Sequence, residues 1–307
     1  MTLVALSTMY AQQPRFDDGG AFARFAREAG FEAIEISHST AVEKVDAIAA
    51  EGALPVVSVH APAPFRLLAD GRPNSALNLA SLDERERVAA VEEALRSVRL
   101  AERLGAQRVV VHLGHVDPPE GDRLHPLERQ LRKLFDRDAL RTDEARQVAT
   151  ELLAWRRSTA EPYLEAARRS LEALVAAAAA AGIVIGIETR LHAHEIPLPE
   201  EAVLLLAGLD PRAVGYWHDV GHVEVLARLR LVPRSRWERA PGLRLVGVHA
   251  HDVRRLLDHR APGNGSIDWE RVRRLAARSP LVTFEIDQRE PEEGVLRARG
   301  MLGSAPD

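Results

Sequence analysis

Eight short β-rich runs recur from one end of this 307-residue chain to the other, separated by helical stretches. They are Leu3–Ser7, Ala33–Ile36, Pro55–His60, Arg108–His112, Val184–Glu188, Val214–His218, Leu245–His249 and Leu281–Ile286. Strands alternating with helices are the pattern of a parallel sheet built from βα units. Gly30, Gly52, Gly105, Gly182 and Gly242 stand just past helical stretches, where left-handed termination favours glycine. Eight such units in a chain of this length predict an α/β fold, a closed (β/α)8 barrel.

Two helices are plain. Leu82–Leu104 carries apolar residues at helical spacing with charges between them, and Pro162–Ala181 ends in a run of alanines, the strongest helix former. Between strand four and the second helix, residues 116–160 are charged and helical in pattern, which predicts a helical insertion. Loops after barrel strands lie at the catalytic face, so this segment is placed as a lid. No repeat or linker-like tract divides the chain, and residues 1–307 read as one barrel domain.

Composition narrows the chemistry. The chain has no cysteine, which excludes disulfides, thiolate metal sites and thiol nucleophiles, so any transition-metal site must use His, Asp and Glu. The only lysines are Lys44 and Lys133, both in helical stretches, which argues against Schiff-base chemistry. A net charge of −4 supplies no overall attraction to nucleic acid or to anionic membranes. The longest apolar run, Leu174–Ile187, is too short to span a bilayer. Met1–Leu6 lacks the basic start and long apolar run of a signal peptide, so a cytoplasmic protein is expected.

Catalytic groups in barrels project from the carboxyl ends of several strands. Of the 12 histidines, all but His125 lie at the last residue of a predicted strand or within the ten residues after it. Glu188, Asp219, His249 and Glu285 stand at the ends of strands five to eight and would converge on one axis. Each has a plain structural alternative: Glu188 could pair with Arg190, and Glu285 could be a rim acid. Convergence tells against those alternatives. Three carboxylates close together without a cation repel, and some must stay protonated. A divalent ion removes that cost. Two Glu, one Asp and one His suit Mn²⁺, Mg²⁺, Co²⁺ or Zn²⁺ with open positions for substrate oxygens. His218, one residue before Asp219, faces away by strand alternation.

Seven motifs in order, VSVHAP (57–62), VVVHLGH (109–115), IGIET (185–189), HDVGH (218–222), VGVHAHD (246–252), GNGSIDW (263–269) and TFEID (283–287), resemble the xylose-isomerase-like barrel superfamily. That superfamily includes sugar isomerases and epimerases and the endonuclease IV-type abasic-site nucleases. The epimerase branch implies one divalent cation on Glu188, Asp219, His249 and Glu285, with Glu188 and Glu285 exchanging protons through an enediolate. It implies substrate-binding roles for His222, Arg255 and Arg190, a small sugar or polyol-derived substrate, and no organic cofactor. One departure is His194, with Glu195 beside it, where that branch often has a substrate-binding acid.

The nuclease branch implies three metals, and His60, His112, His222 and His259 match further ligand positions of its set. The Asp expected two residues before His259 is Leu257. The nearest acid, Asp258, is expected to point elsewhere and so to break the third metal site. A nuclease must also grip a polyanion, and residues 123–157 carry only a modest basic excess. Sugar chemistry is the first reading, abasic-site phosphodiester cleavage the alternative, and a non-catalytic metal-binding barrel a third. GNGSIDW reads as a glycine turn with Ser266 or Asp268 as a helix N-cap, or as amides for an anionic substrate group. Self-association into a homo-oligomer is left open.

Overall fold

A computed structural model describes residues 2–240 and 242–303. Its strands are β1 (Leu3–Ser7), β2 (Ala33–Ile36), β3 (Val56–His60), β4 (Arg108–Val111), β5 (Val184–Glu188), β6 (Val214–Asp219), β7 (Leu245–Ala250), β8 (Asp252–Arg254), β9 (Leu257–Arg260) and β10 (Leu281–Phe284). β1 to β7 pair in parallel with their sequence neighbours, and β10 joins β7 to β1 and closes the barrel. The expected (β/α)8 barrel is present. β8 and β9 form a separate antiparallel hairpin above β7 that the sequence did not announce.

The helices are α1 (Gly19–Glu28), α2 (Val42–Glu51), α3 (Glu84–Leu104), α4 (Pro126–Asp136), α5 (Asp143–Thr159), α6 (Glu161–Ala180), α7 (Pro199–Leu206), α8 (Val220–Arg228), α9 (Arg234–Glu238), α10 (Trp269–Ala276) and α11 (Glu292–Met301). α4 and α5 fill the segment between β4 and α6. Among the described residues, no helix is long and apolar enough to cross a membrane.

Strand alternation divides the buried residues into two layers. Outward residues such as Ile34, Ile36, Val59, Val109 and Val111 pack under the helices. Inside the barrel lies a smaller cluster of Ala5, Ala33, Val110, Trp217, Val246 and Leu281. Trp217 is the largest fully buried side chain. A Cβ at Gly186 or Gly247 would strike its indole, so those glycines make room for it. Burying an indole of this size contributes about 4–6 kcal/mol of hydrophobic driving force before ordering costs. Trp217 plugs the barrel, and residues two positions further along the strands stand above it: Glu35 after Ala33, Glu188 after Gly186 and Asp219 after Trp217.

Candidate metal centre

Glu188, Asp219, His249 and Glu285 each offer one ligand atom within 4.8 Å of the others, and all four are buried. His249 Nδ1 lies 2.7 Å from Glu188 Oε1, 3.1 Å from Glu285 Oε2 and 3.8 Å from Asp219 Oδ2. Asp219 both ends β6 and caps α8, because its Oδ1 accepts from the backbone N–H groups of Gly221 (2.8 Å) and His222 (2.7 Å). His251 Nε2 stands 3.0 Å from each of its oxygens. The close approach of the His251 ring explains Gly221: a Cβ there would lie 2.7 Å from His251 Nδ1 and closer still to Cε1.

Two further groups flank these four. His60 and His112 approach through their Nε2 atoms at 2.8 Å, and both rings face Glu188 Oε2, with His60 at 3.3 Å and His112 in direct contact. His60 Nδ1 also lies 3.3 Å from Glu285 Oε1. On the other side, His222 donates from Nδ1 to the Thr189 carbonyl (2.9 Å) and directs Nε2 toward Asp258 Oδ2 at 3.6 Å, while His259 Nε2 lies 3.5 Å from the same oxygen. His222, Asp258 and His259 thus form a third potential ligand group. The expectation that Asp258 points elsewhere is corrected: His259 adopts a positive φ of 51°, which breaks the extended alternation and brings both side chains to one side.

The candidate substrate groups divide. Arg190 is largely but not fully buried at the carboxylates, with Nη1 3.4 Å from Glu188 Oε2 and Nη2 2.7 Å from Glu195 Oε1. Arg255 is exposed at the hairpin turn, lies over the Phe135 ring and pairs with Asp136 of α4 at 3.2 Å. It is not among the residues gathered at the carboxylates. His218 lines a crevice beside α8, α9 and α10, away from them.

A family model described as the xylose isomerase-like TIM barrel matches residues 23–304. The chain belongs to this xylose isomerase-like family. Among curated proteins no sequence matches it significantly. Solved structures with the same fold include a D-tagatose 3-epimerase-like protein (20% identity, 98% of this chain and 96% of that one, TM-score 0.66). A 3-keto-D-glucoside 4-epimerase from E. coli in its apo form is similar over 98% of this chain and 99% of that one (16% identity, TM-score 0.65). A protein from Thermus thermophilus soaked with ZnCl2 is similar over 99% of each chain (20% identity, TM-score 0.59). At these identities the likeness establishes the fold.

The electrostatics of this xylose isomerase-like barrel differ in one respect from the expectation that crowded carboxylates must stay protonated. Burial pushes Glu188 and Glu285 up, but the surrounding imidazoles, His112, His249 and His60 for the first and His249, His60 and His259 for the second, hold both carboxyls well below 4.5. Burial likewise opposes charge on His60 and His222. Glu188 and Glu285 outweigh it at His60, raising it to about 9, and Asp219 and Asp258 raise His222 to about 10. Burial and Arg190 lower His112 to about 3, so it stays neutral. At His60 and His222 a raised imidazole, rather than a protonated acid, stands against the carboxylates.

The donor set fits a divalent cation. Both carboxylate oxygens of Glu285 are buried without a hydrogen-bond partner, which buried polar atoms rarely tolerate. A cation held by Glu188, Asp219, His249 and Glu285 would satisfy them.

The GNGSIDW amides have an occupant within the chain. Asp252 accepts from the N–H groups of Gly263 (3.0 Å) and Ile267 (3.0 Å) and from Trp269 Nε1 (3.3 Å). Asp268 caps α10. The loop is a structural turn around a buried aspartate, and the anion-binding alternative is replaced by the chain's own carboxylate.

The 116–160 helices grip the loop after β5. Glu128 of α4 accepts from the Ala193 N–H (2.9 Å) and contacts His192 Nδ1 (2.7 Å). Arg156 of α5, fully buried, donates to the Ala193 carbonyl (3.1 Å) and to Glu201 (2.8 Å). That loop carries Arg190, which touches Glu188, and Glu195, which pairs with Arg190, so the insertion fixes the groups beside Glu188. Sequence reasoning missed Glu35, His251, Glu195 and Asp258 as parts of the site. The signals for two were present: Glu35 is an acid inside the apolar run AIEI, and His251 follows His249 at the two-residue strand spacing.

Proposed function

We propose that this chain is a divalent-metal-dependent sugar isomerase or epimerase. The observation that carries the reading is the convergence of Glu188, Asp219, His249 and Glu285, with both buried oxygens of Glu285 accepting no hydrogen bond. A divalent ion bound there would supply Lewis acidity to a substrate carbonyl and its neighbouring hydroxyl, acidifying the adjacent C–H. Glu285, buried and ionised, is the group free to accept that proton. Glu285 would return that proton at the neighbouring carbon in an isomerisation; in an epimerisation Glu188 would deliver a proton to the opposite face, and it would first have to take one from the protonated His60 at 3.3 Å. Arg190, paired to both Glu188 and Glu195, fixes Glu188 and supplies positive charge beside the developing oxyanion. His222, cationic and buried, presents Nε2 to a substrate hydroxyl. The 116–160 helices act as a lid that holds the loop after β5 and excludes water. The test is solvent deuterium incorporation into a panel of ketoses and inososes with Mn²⁺ or Co²⁺ present. Exchange on at least one supports the reading, and no exchange on any, together with cleavage of abasic-site DNA, refutes it.

A specific observation favours a second reading. His60, His112 and Glu188 converge on one side, and His222, Asp258 and His259 on the other, enough donors for a multinuclear phosphodiesterase. Elemental analysis separates the two: one ion per chain fits the isomerase, and two or three fit the hydrolase.

A further inference from the structure

We infer that Glu35 is a positioning residue that fixes the tautomer of His249 so that Nδ1 is the atom offered to a cation. The inference rests on the divalent-metal reading and adds a residue to it. Glu35 stands on β2 inside the barrel, fully buried. Its Oε2 has two neighbours, Ser58 Oγ of β3 at 2.7 Å and Thr283 Oγ1 of β10 at 3.3 Å. Its Oε1 has one, His249 Nε2 of β7 at 2.9 Å.

The hydrogen-bond inventory assigns the protons. A carboxylate offers only acceptor oxygens, and with Ser58 Oγ and Thr283 Oγ1 donating to Oε2, Oε1 is the acceptor left for the His249 ring. His249 Nε2 must therefore be the donor. In the neutral imidazole the other nitrogen then carries the lone pair, and that nitrogen is Nδ1, which faces Glu188, Glu285 and Asp219. The Trp217 ring, 5.1 Å away, packs against the imidazole at 61° and restricts its rotation.

Glu35 also belongs to an alternative ligand group with His60, His249 and Glu285. Its oxygens are already committed to three hydrogen bonds, whereas those of Glu285 accept none, so the cation belongs with Glu285 and Glu35 acts through His249. A carboxylate behind a metal-binding histidine raises ligand basicity as well as orienting the ring.

The experiment compares wild type with Glu35→Gln and Ser58→Ala, each checked for a cooperative melt. In Glu35→Gln the Mn²⁺ dissociation constant, measured calorimetrically, rises by roughly 10–100-fold. Ser58→Ala, which keeps Glu35 but removes one of its donors, shifts it less and in the same direction. ¹⁵N NMR of the wild-type chain loaded with Zn²⁺ shows His249 protonated at Nε2, and the slowly exchanging Nε2–H signal is lost in Glu35→Gln. Two results overturn the inference: a folded Glu35→Gln chain with the wild-type Mn²⁺ affinity, or a wild-type His249 protonated at Nδ1. Should Glu35→Gln not fold, the wild-type tautomer and Ser58→Ala decide. A wild-type chain that binds none of Mn²⁺, Co²⁺ or Zn²⁺ overturns the metal reading and this inference together, whereas unchanged affinity in Glu35→Gln overturns the inference alone.

Discussion

Gly221→Ala sets helix propensity against packing, with opposite signs. Gly221 lies in the first turn of α8, and replacing a helical glycine by alanine ordinarily stabilises by up to about 1 kcal/mol. Here the added Cβ would fall 2.7 Å from His251 Nδ1. The ring has little room to retreat, because Nδ1 accepts from the His259 N–H at 2.9 Å and Nε2 meets both oxygens of Asp219. If the ring stays, overpacking costs about 1–3 kcal/mol. If it swings away, Asp219 loses a charge-assisted bond of about 1.5–3 kcal/mol. Taking about 2 kcal/mol against a gain of about 1 leaves the variant about 1 kcal/mol less stable, a fall in Tm of roughly 1–2 °C. Calorimetric melts of chelator-treated protein at pH 7 measure it. Gly300→Ala is the control: Gly300 lies in α11 with nothing within 4 Å of an added Cβ, so propensity alone acts and Tm rises. A Gly221→Ala chain that melts at or above wild type, with unchanged Mn²⁺ affinity, would refute the close packing of His251 on Gly221.

Glu285→Gln is expected to abolish turnover while the fold survives, read by activity beside circular dichroism; unfolding without loss of metal would return Glu285 to a structural role. Burial raises the Glu128 carboxyl, but His192, Arg132 and the Ala193 N–H outweigh it and hold it below 4.5. An unfolded chain therefore takes up this proton first, so the stabilisation is complete above about pH 4.5 and drains away as pH falls through the folded-state value. Urea midpoints of wild type and Glu128→Gln differ at pH 7 and converge toward pH 3; a gap that persists unchanged at low pH refutes this assignment. Arg156→Leu leaves Glu201 and the Ala193 carbonyl without their buried donor, at a cost of about 3 kcal/mol, and limited proteolysis then cuts between residues 126 and 159 sooner than in wild type. Equal cleavage rates would show that Arg156 does not anchor the insertion.

The strands were legible because each is a short β-rich run bounded by turn residues, and their observed ends differ from the expected ones by only one or two positions. The hairpin β8–β9 was not legible. Its two-residue turn has Arg255 at φ 59°, and His259 sits at φ 51°, where glycine or asparagine would have flagged a left-handed conformation. The same feature hid Asp258, since alternation through residues 257–259 assumes a regular strand, whereas β9 is irregular, with His259 at positive φ. The resemblance implied a substrate-binding role for Arg255, whereas the turn directs it to Asp136.

What the amino-acid sequence determined by itself was the barrel and the four ends from which its acids and imidazole project. Both follow from periodicity: apolar runs at βα spacing close the sheet, and a two-residue strand repeat carries chemistry above the barrel-filling layer. Only the tertiary structure decided which groups meet across strands. Glu35 and His249 are separated by 214 residues, and no local pattern joins them; parallel pairing from β2 round to β7 does. It also decided the charge state of the centre, because a pKa depends on the neighbours that the closed barrel gathers rather than on those adjacent in the chain.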